Sequence, residues 1–92
     1  EKVVICGASR TPMGGFQGCF SGVTASDLGG GAIKAALEQS GAAASDVQEL
    51  LMGCVLPAGQ GQAPARQAGF KAGLGQDVPA TTLNKMCGSG MK

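Results

Sequence analysis

The sequence predicts an α/β fold with a parallel or mixed sheet. Two observations carry this. Short apolar runs rich in β-branched residues alternate with segments of helical periodicity, in the order strand, helix, strand, helix, strand. Glycine and proline concentrate between these segments, where the chain must turn, and no linker or internal repeat divides residues 1–92.

The elements follow in order. Residues 2–9, "KVVICGAS", form a β-branched run closing around Gly7 and read as a buried strand. Residues 10–23 hold Pro12 and four glycines and read as loop. Residues 24–41, "TASDLGGGAIKAALEQSG", are the clearest helix, with Thr24 or Ser26 to cap its start and Gly41 to end it. On a helical wheel Asp27, Lys34 and Glu38 share one narrow stripe, while Leu28, Ala32, Ile33, Ala36 and Leu37 take most of the rest. Such a helix is covered on several sides. Gly29, Gly30 and Gly31 inside it cost up to about 1 kcal/mol each relative to alanine. Close approach of another backbone would justify them, and no such neighbour is evident within this chain.

Residues 42–47 connect to a second strand at 49–57, "ELLMGCVLP", ended by Pro57. Residues 58–62 are loop. Residues 63–75, "APARQAGFKAGLG", read as a short helix with Pro64 in its first turn and Gly73 or Gly75 past its end. A third strand lies in 77–86, "DVPATTLNKM", entered after Pro79. Cys87 comes next, and "GSGMK" reads as the first turn of another helix.

Composition narrows the function classes. A chain of this size buries roughly 60–65% of its unfolded surface. Seventeen glycines raise the entropy that folding must overcome, and three Phe with no Trp or Tyr leave few large side chains for a core. Small residues of this kind suit close packing between layers of something larger. The net charge is +1 and the seven basic residues are scattered, so nucleic-acid binding has little electrostatic support. There is no 18-residue apolar run to span a membrane and no charged-then-apolar segment at the start, so a cytoplasmic location is expected. The chain opens on Glu1 rather than Met, as a trimmed start would.

Four cysteines, Cys6, Cys19, Cys54 and Cys87, are widely spaced, which argues against a disulfide framework. There is no C-x-x-C and no histidine, so no zinc site is expected, and no other cofactor is implied. Cys6 and Cys54 lie in apolar strands and read as small buried hydrophobes. Cys19 lies in a loop and has no assigned role.

Cys87 is different. A free thiol with a pKa near 8.5 is only a few per cent thiolate at neutral pH. At a strand-to-helix junction, unpaired N–H groups and the positive helix end favour the thiolate. Gly88 and Gly90 remove side chains beside the sulfur and leave backbone N–H groups open to an oxyanion. This is the logic of the strand–turn–helix nucleophile elbow, carried out with sulfur. The bland alternative is a buried thiol before a glycine-rich turn.

A cysteine nucleophile usually works with a base, most often histidine, and this chain has none. Asp27, Glu38, Asp46, Glu49 and Asp77 read as solvated charges. Either the inference fails or the remaining machinery lies beyond Lys92. Two other motifs are weaker. "GQGQAP", residues 59–64, mimics the start of a dinucleotide fingerprint, but Pro64 holds the third glycine position and no acidic residue follows for a ribose. Arg66 and Lys71 read as a solvated helix face, with a subunit contact as the alternative.

At this point the residues resemble a known family. "NKMCGSGMK" resembles the nucleophile segment of the thiolases, especially the biosynthetic acetyl-CoA acetyltransferases. "VVICGASRTPMGGFQG" resembles that family's opening strand and Arg-Thr-Pro-x-Gly loop, and "MGCVLPAGQGQAPARQAG" is similar to the stretch between them. The resemblance covers essentially all 92 residues. It implies a thiolase-like layered α-β-α-β-α fold, in which residues 1–92 are the first part of the N-terminal half. The glycine-rich helix would be the layer between two sheets. It also implies that Cys87 is acylated by acetyl-CoA, that CoA leaves, and that a second acetyl-CoA condenses to give acetoacetyl-CoA, or the reverse thiolysis. The backbone N–H of Cys87 would serve one oxyanion. The family's histidine, second cysteine and asparagine-held water would come from later segments, with no counterpart here. A homo-oligomer, dimer or tetramer, is implied. Two alternatives stay open: a β-ketoacyl synthase, which shares the fold and nucleophilic cysteine, and a non-catalytic piece that only packs with the missing remainder.

Overall fold

The computed structural model describes residues 1–92. Two α-helices, α1 (Ala25–Ser40) and α2 (Pro64–Lys71), pack on a two-stranded sheet, β1 (Leu50–Gly53) and β2 (Ala80–Leu83). Short 3₁₀ turns lie at Ala44–Asp46 and Ser89–Met91. The strands run parallel in the register Leu50↔Ala80 through Gly53↔Leu83. Parallel neighbours need a crossover, and α2 supplies it. Backbone bonds from Leu50 N–H to Pro79 C=O and from Cys54 N–H to Leu83 C=O, both 2.9 Å, close the ladder at either end. The mixed helix and strand content is the expected α/β class, and the strands are shorter than the apolar runs that contain them.

The start of α1 is built by Thr24, the one of the two expected caps that does the work. Its hydroxyl accepts from Asp27 N–H at 3.1 Å, and the Asp27 carboxylate accepts from Thr24 N–H at 3.1 Å. Two otherwise unpaired donors are thereby satisfied together. Gly41 ends the helix in the left-handed conformation, with φ 75°.

The glycines of α1 do have a neighbour within the chain, contrary to expectation. It is α2. A Cβ on Gly30 would lie 2.7 Å from Lys71 Cβ and 3.2 Å from Ala68 O, and one on Gly29 would meet Ala68 Cβ at 3.2 Å. Removing those side chains lets the two helices approach closely. Gly31 faces open space and plays no part.

Leu50, Leu74 and Val78 form the centre of the core, with Ile33, Leu37, Val47 and Met52 packed around them. Ala65 and Ala68 of α2 are buried against the sheet, and Ala65 N–H donates to Thr82 Oγ1 on β2 at 2.9 Å. Arg66 and Lys71 are not a solvated face. Arg66 donates to Val78 C=O at 2.6 Å and lies 5.4 Å from the centre of the Phe70 ring. Lys71 pairs with Asp27 at 2.7 Å and donates to Ser26 Oγ at 2.8 Å, which fastens α2 to the start of α1. Asp27 is therefore a solvent-exposed charge, as expected, but a partnered one.

Residues 2–9 do not form the expected strand. They run along α1, tethered by Ala8 N–H to Gln39 Oε1 and Ser9 Oγ–H to Ala32 C=O, both 2.6 Å. A strand exists only through its ladder, and no neighbouring strand here offers this segment one. Val3, Val4 and Ile5 are consequently 96%, 71% and 89% exposed. Cys6 is exposed as well, against the expectation of a buried thiol.

Only 9 of 92 residues are buried. The accessible surface is 6755 Å², against about 4,900 Å² expected for a folded monomer of 9.0 kDa. No helix is long and apolar enough to cross a membrane.

Candidate active site

The site is built where β2 ends. Beyond Leu83 the backbone cannot continue as strand, because Met86 takes a left-handed conformation, φ 52°. A non-glycine residue in this region costs about 1–2 kcal/mol, so the surroundings must hold it there. Asn84 Oδ1 accepts from Met86 N–H at 2.8 Å, a side-chain turn that asparagine makes readily. Ser89 Oγ accepts from Lys85 N–H and donates to Met86 C=O, both at 2.9 Å. Gly88 N–H donates to Lys85 C=O at 3.0 Å. Ser89 is seated against β1, where a Cβ on Gly53 would collide with its own Cβ.

Cys87 stands at the apex of this turn with its thiol exposed. Its backbone N–H donates to no protein acceptor, and neither does that of Gly90. Gly88 N–H, one of the donors expected to be open, is spent inside the turn. The segment after Cys87 is a single helical turn of 3₁₀ type, Ser89–Met91, where a first helical turn is expected. The arrangement therefore offers an accessible sulfur, an unshielded approach beside glycine, and a free N–H on the same residue. These are the parts needed to add a thiolate to a carbonyl and hold the resulting oxyanion.

Three residues of this turn, Asn84, Met86 and Ser89, and Gly53 of β1 beneath it carry roles that the sequence reading does not assign. A glycine inside a strand signals close backbone approach, and Asn and Ser near a turn signal local hydrogen bonds to the chain. Those signals were present, but what they point to is a partner more than thirty residues away for Gly53.

The other cysteines are not gathered at the site. All four thiols are free. Cys54 is half-buried just past β1 and accepts from Gln60 Nε2 at 3.4 Å. No group of three or more His, Cys, Asp or Glu residues is arranged to hold a metal. The "GQGQAP" loop turns through Gly59 and Gly61, with φ 79° and 80°. Its carbonyls at Gln60 and Gln62 accept from Gln67 Nε2 at 2.7 and 2.6 Å. At the start of α2, Pro64 has no N–H and that of Ala65 donates to Thr82 Oγ1, which removes two of the donors that a pyrophosphate at this helix end would use.

Residues 3–92 match the thiolase N-terminal domain, and the chain belongs to that family. Among its relatives, the mitochondrial acetyl-CoA acetyltransferase B of Xenopus laevis is 57% identical over all 92 residues. An acetyl-CoA acetyltransferase of Pseudomonas aeruginosa is 54% identical over the same span. The fold matches the crystal structure of a thiolase from Ascaris suum in complex with coenzyme A, with a TM-score of 0.90, 36% identity, and 95% of this chain and 23% of that one covered. The chain spans 22% and 23% of the lengths of the two acetyltransferases.

Proposed function

We propose that Cys87 is the nucleophile of an acetyl-CoA acetyltransferase and that residues 1–92 are its nucleophile-bearing segment. The observation that carries this is the turn at Asn84–Ser89, which lifts an exposed thiol and its own unpartnered N–H off the end of a parallel strand. The names of the relatives and the coenzyme A bound to the Ascaris thiolase give the substrate class.

In this reading the Cys87 sulfur adds to the thioester carbonyl of acetyl-CoA. The carbonyl electrons move to oxygen, and the free N–H of Cys87 stabilises that charge. Collapse re-forms the carbonyl, breaks the bond to the CoA sulfur and leaves acetyl on Cys87. A second acetyl-CoA, deprotonated at its methyl carbon, then attacks the acetyl-cysteine to give acetoacetyl-CoA, and thiolysis is the reverse. The chain has no histidine, so the base that activates Cys87 and the groups that move the methyl proton come from protein outside these residues. The segment acts within a homo-oligomer, a dimer or tetramer. A cytoplasmic setting remains the expectation for it, although several relatives are named mitochondrial.

The test uses the full-length polypeptide that carries this segment. It is incubated with labelled acetyl-CoA, quenched in acid and mapped by mass spectrometry. The label is expected on Cys87 and should disappear in Cys87→Ala. Acetyl found at any other residue sinks the assignment.

A further inference from the structure

We propose that Ser89 is a positioning residue that aims the N–H of Cys87 at the oxyanion. The inference rests on the reading of Cys87 as the nucleophile and adds to it a reason for the serine two residues on.

The argument starts from the planarity of the peptide bond. The N–H of Cys87 and the C=O of Met86 belong to one rigid trans unit and point in opposite directions. Whatever holds the Met86 carbonyl therefore fixes where the Cys87 N–H points. Ser89 holds it twice, through its hydroxyl at 2.9 Å and more loosely through its own N–H at 3.3 Å. The same hydroxyl accepts from Lys85 N–H at 2.9 Å, so it ties the Asn84–Lys85 peptide to the Met86–Cys87 peptide, one on each side of the Lys85–Met86 step. This matters because Met86 is left-handed, a conformation that relaxes unless something retains it. Ser89 is itself seated on β1 at Gly53, so the turn is referenced to the sheet and not only to itself. The result is one N–H of the turn left unpaired on the nucleophilic residue, facing away from the interior that Ser89 occupies.

The hydroxyl is bonded to backbone and not to the sulfur, so it acts on the reaction only through the peptide it holds. Its contribution appears only when a carbonyl oxygen gains charge. This separates its role from that of the thiol. Acyl transfer from acetyl-CoA passes through an oxyanion, whereas alkylation by iodoacetamide displaces iodide at saturated carbon and forms none. Both reactions use the same sulfur.

The experiment compares Ser89→Ala and Ser89→Thr with the wild-type full-length protein. In Ser89→Ala, kcat with acetyl-CoA is expected to fall about 10- to 100-fold, with KM changed less than about threefold. The rate of Cys87 alkylation should change less than about threefold, since that reaction has no oxyanion to stabilise. Ser89→Thr keeps the hydroxyl and should retain more than about half of the wild-type kcat. Three results overturn the proposal: kcat within about twofold of wild type in Ser89→Ala, a parallel fall of kcat and alkylation, or an equal loss of kcat in both variants. If wild-type Cys87 alkylates but is never acetylated, the nucleophile reading itself has failed.

Discussion

Asp27 and Lys71 show how much one pair of side chains can be asked to do. Asp27 closes the cap of α1 and also receives the Lys71 ammonium from α2. Its carboxyl is held down from 3.8 to about 2, first by the hydrogen bond from Lys71 and then by those from Thr24. The sign of the pH effect follows. A carboxylate with a lowered folded pKa stabilises the fold fully above its unfolded value, and the contribution drains away as pH falls through the folded one. The clasp between the helices is thus complete above about pH 4 and lost towards pH 2. In Asp27→Asn it is already weakened at pH 7. Hydrogen exchange should show faster opening of the first turn of α1 in Asp27→Asn at neutral pH, and little further pH response there on acidification. Exchange identical to wild type would mean that the pair is ornamental. The sequence displayed both residues but not their partnership, because they lie 44 positions apart and each reads alone as a solvated charge. The turn around Cys87 differs in being local, since its hydrogen bonds join residues within three positions of the cysteine.

At the level of elements, local signals were good guides and pairing was not. Both helices and both strands lie inside the segments that periodicity and turn residues marked, and Thr24, Gly41 and Pro64 bound them as their chemistry requires. The strands are cut short because a ladder lasts only as long as its partner. The glycine-rich face of α1 offers a sharp test. Gly30→Ala places a methyl against Lys71 Cβ and Ala68 O, so overpacking of about 1–3 kcal/mol should exceed the gain in helix propensity. Gly31, by contrast, meets nothing within residues 1–92. Hydrogen exchange across α1 in the full-length protein should therefore quicken in Gly30→Ala. Unchanged or slower exchange would show that α1 and α2 do not meet as closely as the structure has them.

The whole molecule is short of interior. Its buried apolar side chains are Leu50, Leu74, Val78 and three alanines, while Val3, Ile5, Met13, Phe16 and Met91 are each 88% exposed or more. The Cα radius of gyration, 13.4 Å, exceeds the roughly 12 Å expected at this length, and residues 1–24 before α1 are an arm without helix or strand. Small-residue composition had already pointed to packing within something larger. A polypeptide of residues 1–92 alone should therefore be poorly folded, bind a hydrophobic dye strongly and transfer no acetyl group. A sharp cooperative melt without dye binding, or measurable acetyl transfer, would contradict this.

The arm has a consequence for how copies of this chain meet. Val3-Val4-Ile5 is uncharged, β-branched and exposed, and its backbone donors and acceptors are unpaired outside Ala8. That is the profile of a segment that recruits any strand it meets. Residues 50–83 close their own strand–helix–strand unit over a short distance, but the arm has no ladder to join among them. Until another strand pairs with it, this segment stays adhesive. The most hazardous stretch within these residues is thus the one with no ladder, and encounters between unpaired copies of it, rather than any weakness of the closed strand–helix–strand unit, set the risk of aggregation.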